Sequence, residues 1–177
     1  MVDPKPSADY PAPMRLLFLC TGNSCRSILA EATFNHLAPD GWSAMSAGSH
    51  PSGQVHPRSL ALLEREGIPT AGLTSKSWEG LAVVPDIVVT VCGSAAAETC
   101  PAYLGPAVRT HWGVEDPAEA TGTDAQIDAA FELAYRILRA RIEAFLALPL
   151  DELRNEPRRL AAELDRIGQI VPEGIEV

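Results

Sequence analysis

The sequence predicts an α/β fold: a parallel sheet flanked by helices, in a single domain. Three observations predict it. Short apolar, β-branched runs alternate with longer helix-patterned stretches, as crossover-connected parallel strands require. The first run passes through a Gly-containing loop directly into a helix. No internal repeat or second core divides the 177 residues, a length that suits one domain.

"MRLLFLC" (Met14–Cys20) is almost continuously apolar and fits a buried parallel strand. After the loop "TGNSCR", Ser27–Ala38 reads as a helix with Ile28, Leu29, Ala32 and Leu37 on its apolar face, ended by Pro39-Asp-Gly41. Trp42–Gly48 is a second strand. His56–Gly67 is a helix, with Pro57 in its first turn and Gly67 as its stop. Pro85–Cys92 is the clearest strand and Ala107–Gly113 a shorter one. Thr123–Leu148 is a long amphipathic helix. Thr123 and Gln126 match a capping box, and Ile127, Phe131, Ala134, Leu138, Ile142 and Phe145 form its core stripe. Glu132 and Arg136 are spaced as an i,i+4 pair on its other side. Residues 1–13 are expected to form a loose tail, 14–148 the domain, and 149–177 a C-terminal helical extension and tail.

Composition narrows the function. A net charge of −9 argues against nucleic acid or an anionic membrane surface as partner. No apolar run reaches the roughly 18–20 residues of a membrane span. The tail "MVDPKPSADYPAP" lacks the apolar core of a secretory signal, so a cytoplasmic location is expected. In that compartment cysteines are more often catalytic, metal-binding or redox-active than structural. An acidic protein that handles an anion must build a local positive field.

"CTGNSCR" supplies one. A loop that wraps and then opens a helix points backbone N–H groups inward, together with the helix N-terminus. Thr21, Gly22, Asn23, Ser24, Cys25, Arg26 and Ser27 thus form a candidate oxyanion cradle. Arg26 adds a planar fork, and Gly22 supplies backbone freedom. The same field favours the thiolate of Cys20, to which Ser27 could donate a hydrogen bond. Ligands in α/β folds bind beyond the carboxyl ends of the strands. Cys20 and Cys92 each end a predicted strand, and Asp116 lies just past another. Cys20/Cys25 and Cys92/Cys100 are too widely spaced for a zinc pair, and no metal or cofactor is expected. Cys25 is either a small packing residue or a protective disulfide partner for Cys20. His36, His50 and His56 read as exposed or structural. His111 and Trp112 are expected to position the Asp116 loop, and the remaining acidic residues to form a solvated surface.

Together, "FLCTGNSCRS", "SAGSHP", "VVTVC" with a further cysteine, and "HWGVEDPA" resemble the thioredoxin-coupled arsenate reductases, which share the low-molecular-weight protein tyrosine phosphatase fold. The resemblance spans Arg15 to Leu148 and implies a three-layer αβα architecture. It implies Cys20 as the nucleophile that attacks arsenate, Thr21–Arg26 as the anion loop, and Asp116 as the acid that protonates the departing oxygen. It also implies Cys92 and Cys100 as relay cysteines. The disulfide passes from Cys20–Cys92 to Cys92–Cys100 and is then reduced by a thioredoxin-like partner. Gly93–Thr99 is expected to move during this relay. It is one residue longer than in the best-studied family pattern, which leaves glutaredoxin or a small thiol as alternative donors. Lys76 falls where some members carry an aspartate that helps bind potassium, with Asn23, Glu31 and Ser46 matching the rest of that site. A lysine there implies no potassium requirement. The alternative functions are a phosphotyrosine phosphatase using Cys20, Arg26 and Asp116 alone, and a non-enzymatic redox or arsenic sensor.

Overall fold

The computed structural model describes residues 12–79, 81, 83–92 and 107–172. A four-stranded parallel sheet in the order β2-β1-β3-β4 forms its centre. β1 is Met14–Cys20, α1 Arg26–Leu37, β2 Trp42–Gly48, α2 Pro57–Arg65, β3 Ile87–Thr90 and β4 Val108–His111. A 3-10 turn at Pro117–Glu119 follows, then α3 Asp124–Leu146, α4 Leu150–Leu153 and α5 Pro157–Ile167. The sheet is all parallel and flanked by helices, as predicted.

β1 lies inside the sheet, and every one of its residues except Arg15 is buried. Leu16, Leu17, Phe18 and Leu19 have no solvent exposure. β1 pairs with β2 from Met14↔Trp42 to Cys20↔Gly48, so the two strands end level. β3 is shorter than its apolar run, but the ladder continues through Val91 N donating to Leu19 O at 2.9 Å. Helix α3 carries the expected Thr123/Gln126 capping box. Its stripe buries Phe131, Ala134, Leu138, Ile142 and Phe145, while Ile127 is partly buried. Glu132 faces Arg65 of α2 at 4.0 Å, and the i,i+4 pair on α3 is instead Arg139–Glu143 at 2.9 Å.

Aromatic rings link the layers. Phe18 lies 6.2 Å from both Phe34 and Trp112, and Phe145 lies 6.1 Å from Phe34 and 5.7 Å from Trp42. Helix α5 packs on β4, and its Leu160, Leu164 and Ile167 join the same core. Among the described residues, no helix is long and apolar enough to cross a membrane. The C-terminal rim of the sheet carries Cys20, Cys92 and the loop leading to Asp116.

Candidate active site

The loop from Cys20 to Arg26 is turned outside-in. The carbonyls of Thr21, Gly22 and Ser24 accept from the backbone N–H groups of His50, Ser52 and His56 at 2.9, 2.9 and 3.1 Å. Ser75 Oγ and Ser59 Oγ also donate to the carbonyls of Gly22 and Ser24. A planar peptide sets each N–H opposite the preceding carbonyl. The N–H groups of Gly22, Asn23 and Cys25 therefore face into the loop. Asn23 N–H indeed reaches Cys20 Sγ at 3.2 Å. Helix α1 begins at Arg26 without a side-chain cap from Cys25, so its first-turn N–H groups are available to the cradle among the described residues.

The loop's left-handed residue is Asn23, with φ of 46°, whereas Gly22 does not take a positive φ. The backbone freedom expected of Gly22 is used at Asn23 instead. Asparagine tolerates this region, and its amide repays the strain locally. Lys76 N–H donates to Asn23 Oδ1 at 2.8 Å, which fixes the amide's orientation. Its Nδ2 then donates to Ser27 Oγ at 2.8 Å and to Ser46 Oγ at 2.9 Å. Gly48 lets the end of β2 pass beneath the loop, since a Cβ there would collide with the Thr21 carbonyl.

Ser27 Oγ lies 3.0 Å from Cys20 Sγ, and both residues are buried. Arg26 Nη1 donates to Val114 O at 2.9 Å, and Nη2 lies 3.5 Å from Asp116 Oδ2. Its Nε is buried and has no hydrogen-bond partner among the described residues. Leaving a donor unsatisfied in this way costs about 1–3 kcal/mol. Asp116 Oδ1 accepts from Ala118 N–H at 3.0 Å, which makes Asp116 the cap of the 3-10 turn.

Residues 15–159 match the family model described as low molecular weight phosphotyrosine protein phosphatase. The chain belongs to this family. Among its curated relatives, an arsenate reductase of Halalkalibacterium halodurans is 40% identical over 131 residues, 73% of this chain and 93% of that protein. A solved arsenate reductase in a phosphate-binding state superposes with a TM-score of 0.63 at 29% identity, covering 76% of this chain and 97% of that one. A thioredoxin-dependent arsenate reductase of Corynebacterium glutamicum gives a TM-score of 0.50 at 27% identity, covering 75% and 63%.

This phosphatase-family loop has a further sulfur at its edge. Cys92 is buried, and its Sγ lies 3.4 Å from Thr21 Oγ1. Cys20, Arg26, Asp116 and Cys92 thus meet around one loop, while Cys100 and the segment Gly93–Thr99 lie outside the described residues. Cys25 is a buried thiol, contacted by the hydroxyls of Ser24 and Ser59, and burial pushes its pKa up. Glu31 accepts from Ser46 Oγ at 2.8 Å and sits 3.7 Å from Lys76 Nζ. Lys76 Nζ also donates to Thr74 O at 2.8 Å. The position beside Glu31 therefore holds an ammonium group, and this donor set does not fit a bound cation.

His56 proves structural: it caps α2 through Arg58 N–H and packs at a tilt against Phe131 with centroids 4.8 Å apart. Trp112 is fully buried and donates from Nε1 to Leu164 O at 2.9 Å, and His111 Nδ1 lies 2.7 Å from Thr90 Oγ1. The sequence reading missed Ser59 and Ser75, which turn the loop carbonyls outward, and the Val114 carbonyl that holds Arg26. Only the polarity of the two serines hinted at their role.

Proposed function

We propose that this protein is an arsenate reductase that works by a three-cysteine relay in the cytoplasm, with thioredoxin as its reductant. The observation that carries the proposal is the Cys92 sulfur, 3.4 Å from Thr21 Oγ1 on the rim of the anion loop. A hydrolytic phosphatase needs no second thiol there.

Arsenate enters the cradle of Thr21–Ser27. One of its oxygens satisfies the buried Nε of Arg26, and Nη2 swings from Asp116 to the anion as a bidentate grip. The Cys20 thiolate, held by Ser27 and the Asn23 backbone N–H, attacks arsenic. Asp116 protonates the departing oxygen, which leaves as water. The Cys92 thiolate then attacks the Cys20 sulfur. The sulfur–arsenic electron pair stays on arsenic, reducing it from As(V) to As(III), and arsenite departs. Cys100 attacks Cys92, releasing the Cys20 thiolate and leaving a Cys92–Cys100 disulfide. A reduced dithiol partner takes over that disulfide. The Lys76 ammonium balances Glu31 beside the loop, so the cycle needs no potassium.

Hydrolysis of aryl phosphates accompanies reduction, because Cys20, Arg26 and Asp116 serve both reactions. The test is a comparison of wild type and Cys92→Ser with arsenate plus a thioredoxin regenerating system, and separately with p-nitrophenyl phosphate. Cys92→Ser should lose reduction and keep hydrolysis. Loss of neither, or of both equally, contradicts the relay. A glutaredoxin system that outperforms thioredoxin would replace the donor only.

A further inference from the structure

The reaction needs Asp116 held at one place against the anion loop, and two arginines grip consecutive carbonyls of its loop. Arg26 takes Val114 O, and Arg141 of α3 takes Gly113 O at 3.2 Å. Arg141 is only 5% exposed, and its Nε donates to Ile170 O at 3.1 Å. Among the described residues, no carboxylate pairs with it, and burial lowers its pKa. A buried cation compensated, among the described residues, by neutral carbonyls alone is expensive, and an apolar side chain of similar volume would cost less. Stability alone does not explain an arginine here.

The C-terminal segment supplies independent bracing. Gly168 sits so close to the end of β4 that a Cβ would lie 2.8 Å from His111 O and 3.0 Å from Trp112 Cδ1. Trp112 donates to Leu164 O, and Thr110 Oγ1 donates to Asp165 Oδ1 at 2.7 Å. These contacts involve residues beyond 159, where the family match ends. Packing leaves one side of the loop open. It borders a cavity of about 500 Å3 lined by Val114, Asp116, Pro117, Leu133, Ile137 and Arg141.

We propose that Arg141 is a positioning residue which, together with the turn at Gly168–Ile170, fixes the loop that presents Asp116. The proposal rests on the general-acid role given to Asp116 above. Without the clamp the loop drifts toward the cavity, and proton donation suffers more than anion binding.

Hydrogen exchange and leaving-group dependence test this in the full chain. Arg141→Met and Gly168→Ala should each speed exchange of the amides of residues 114–116 and 118 by about tenfold, with β1 unchanged. On phenyl phosphate, whose leaving group needs a proton, kcat should fall about tenfold further than on p-nitrophenyl phosphate, with KM nearly constant. Added to Asp116→Ala, neither substitution should cost more. If Arg141→Met unfolds the protein, β1 loses protection, and Arg141→Lys, which keeps charge but not the fork, carries the same expectations. Unchanged exchange over 114–118, or an equal loss on both phosphates, overturns the clamp. A wild type with neither hydrolysis nor reduction overturns the general-acid reading, and the exchange result still decides the clamp.

Discussion

The hydroxyl of Ser27 lies against the sulfur of Cys20. The two atoms lie 3.0 Å apart, and Asn23 Nδ2 already donates to the same oxygen at 2.8 Å. The orientation of the Asn23 amide follows from one backbone group. Lys76 N–H can only donate, so Asn23 must present Oδ1 to it and Nδ2 to the serines. Once Cys20 is a thiolate it has no proton to give, so Ser27 donates to it, while Ser46 donates to Glu31.

Replacing Ser27 with alanine removes that donor from the thiolate. A hydrogen bond to a charged group is worth about 1.5–3 kcal/mol. The rate of Cys20 alkylation by iodoacetamide at neutral pH should fall by about tenfold or more, and reduction with it. Unchanged alkylation would mean that the loop amides alone hold the thiolate.

The Glu31–Lys76 pair predicts indifference to potassium. Wild-type activity in potassium and in sodium should agree at equal ionic strength. Lys76→Asp places a second carboxylate beside Glu31, and activity should drop by about tenfold and recover with added potassium. Specific activation of the wild type by potassium would show that the ammonium does not fill the site.

Cys25 predicts a loss of stability at high pH. Its pKa is raised by burial, so the native state holds the proton after the unfolded chain releases it. The stabilisation is complete below the unfolded value of about 8.5 and is lost as pH rises through the folded value. Tyr135, also raised by burial, contributes in the same direction from near pH 10. Denaturation midpoints should therefore decline above about pH 8.5, and Cys25→Ala should flatten the first part of that slope. An unchanged slope would show that the Cys25 thiol plays no part in it.

Much of the fold was legible because burial leaves period and composition behind. The run Met14–Cys20 and the Thr123/Gln126 box announced their elements in side-chain chemistry. Contacts made by backbone were not legible. Nothing in the sequence says that Val114 O holds Arg26 or that Gly113 O takes Arg141, because a carbonyl is present at every residue. Long-range choices were hidden as well: Glu132 pairs across to Arg65 because α2 packs on α3. The strained position fell on Asn23 rather than Gly22 because the amide has three partners there, an advantage local propensity does not register.

The relay is tested most directly by trapping its first disulfide. Cys100→Ser should be incubated with one equivalent of arsenate and no reductant, quenched with an alkylating agent, and mapped by mass spectrometry. A Cys20–Cys92 disulfide formed in step with one equivalent of arsenite is the predicted result. Arsenite formed without that disulfide, or no arsenite from a protein that still hydrolyses p-nitrophenyl phosphate, would contradict it.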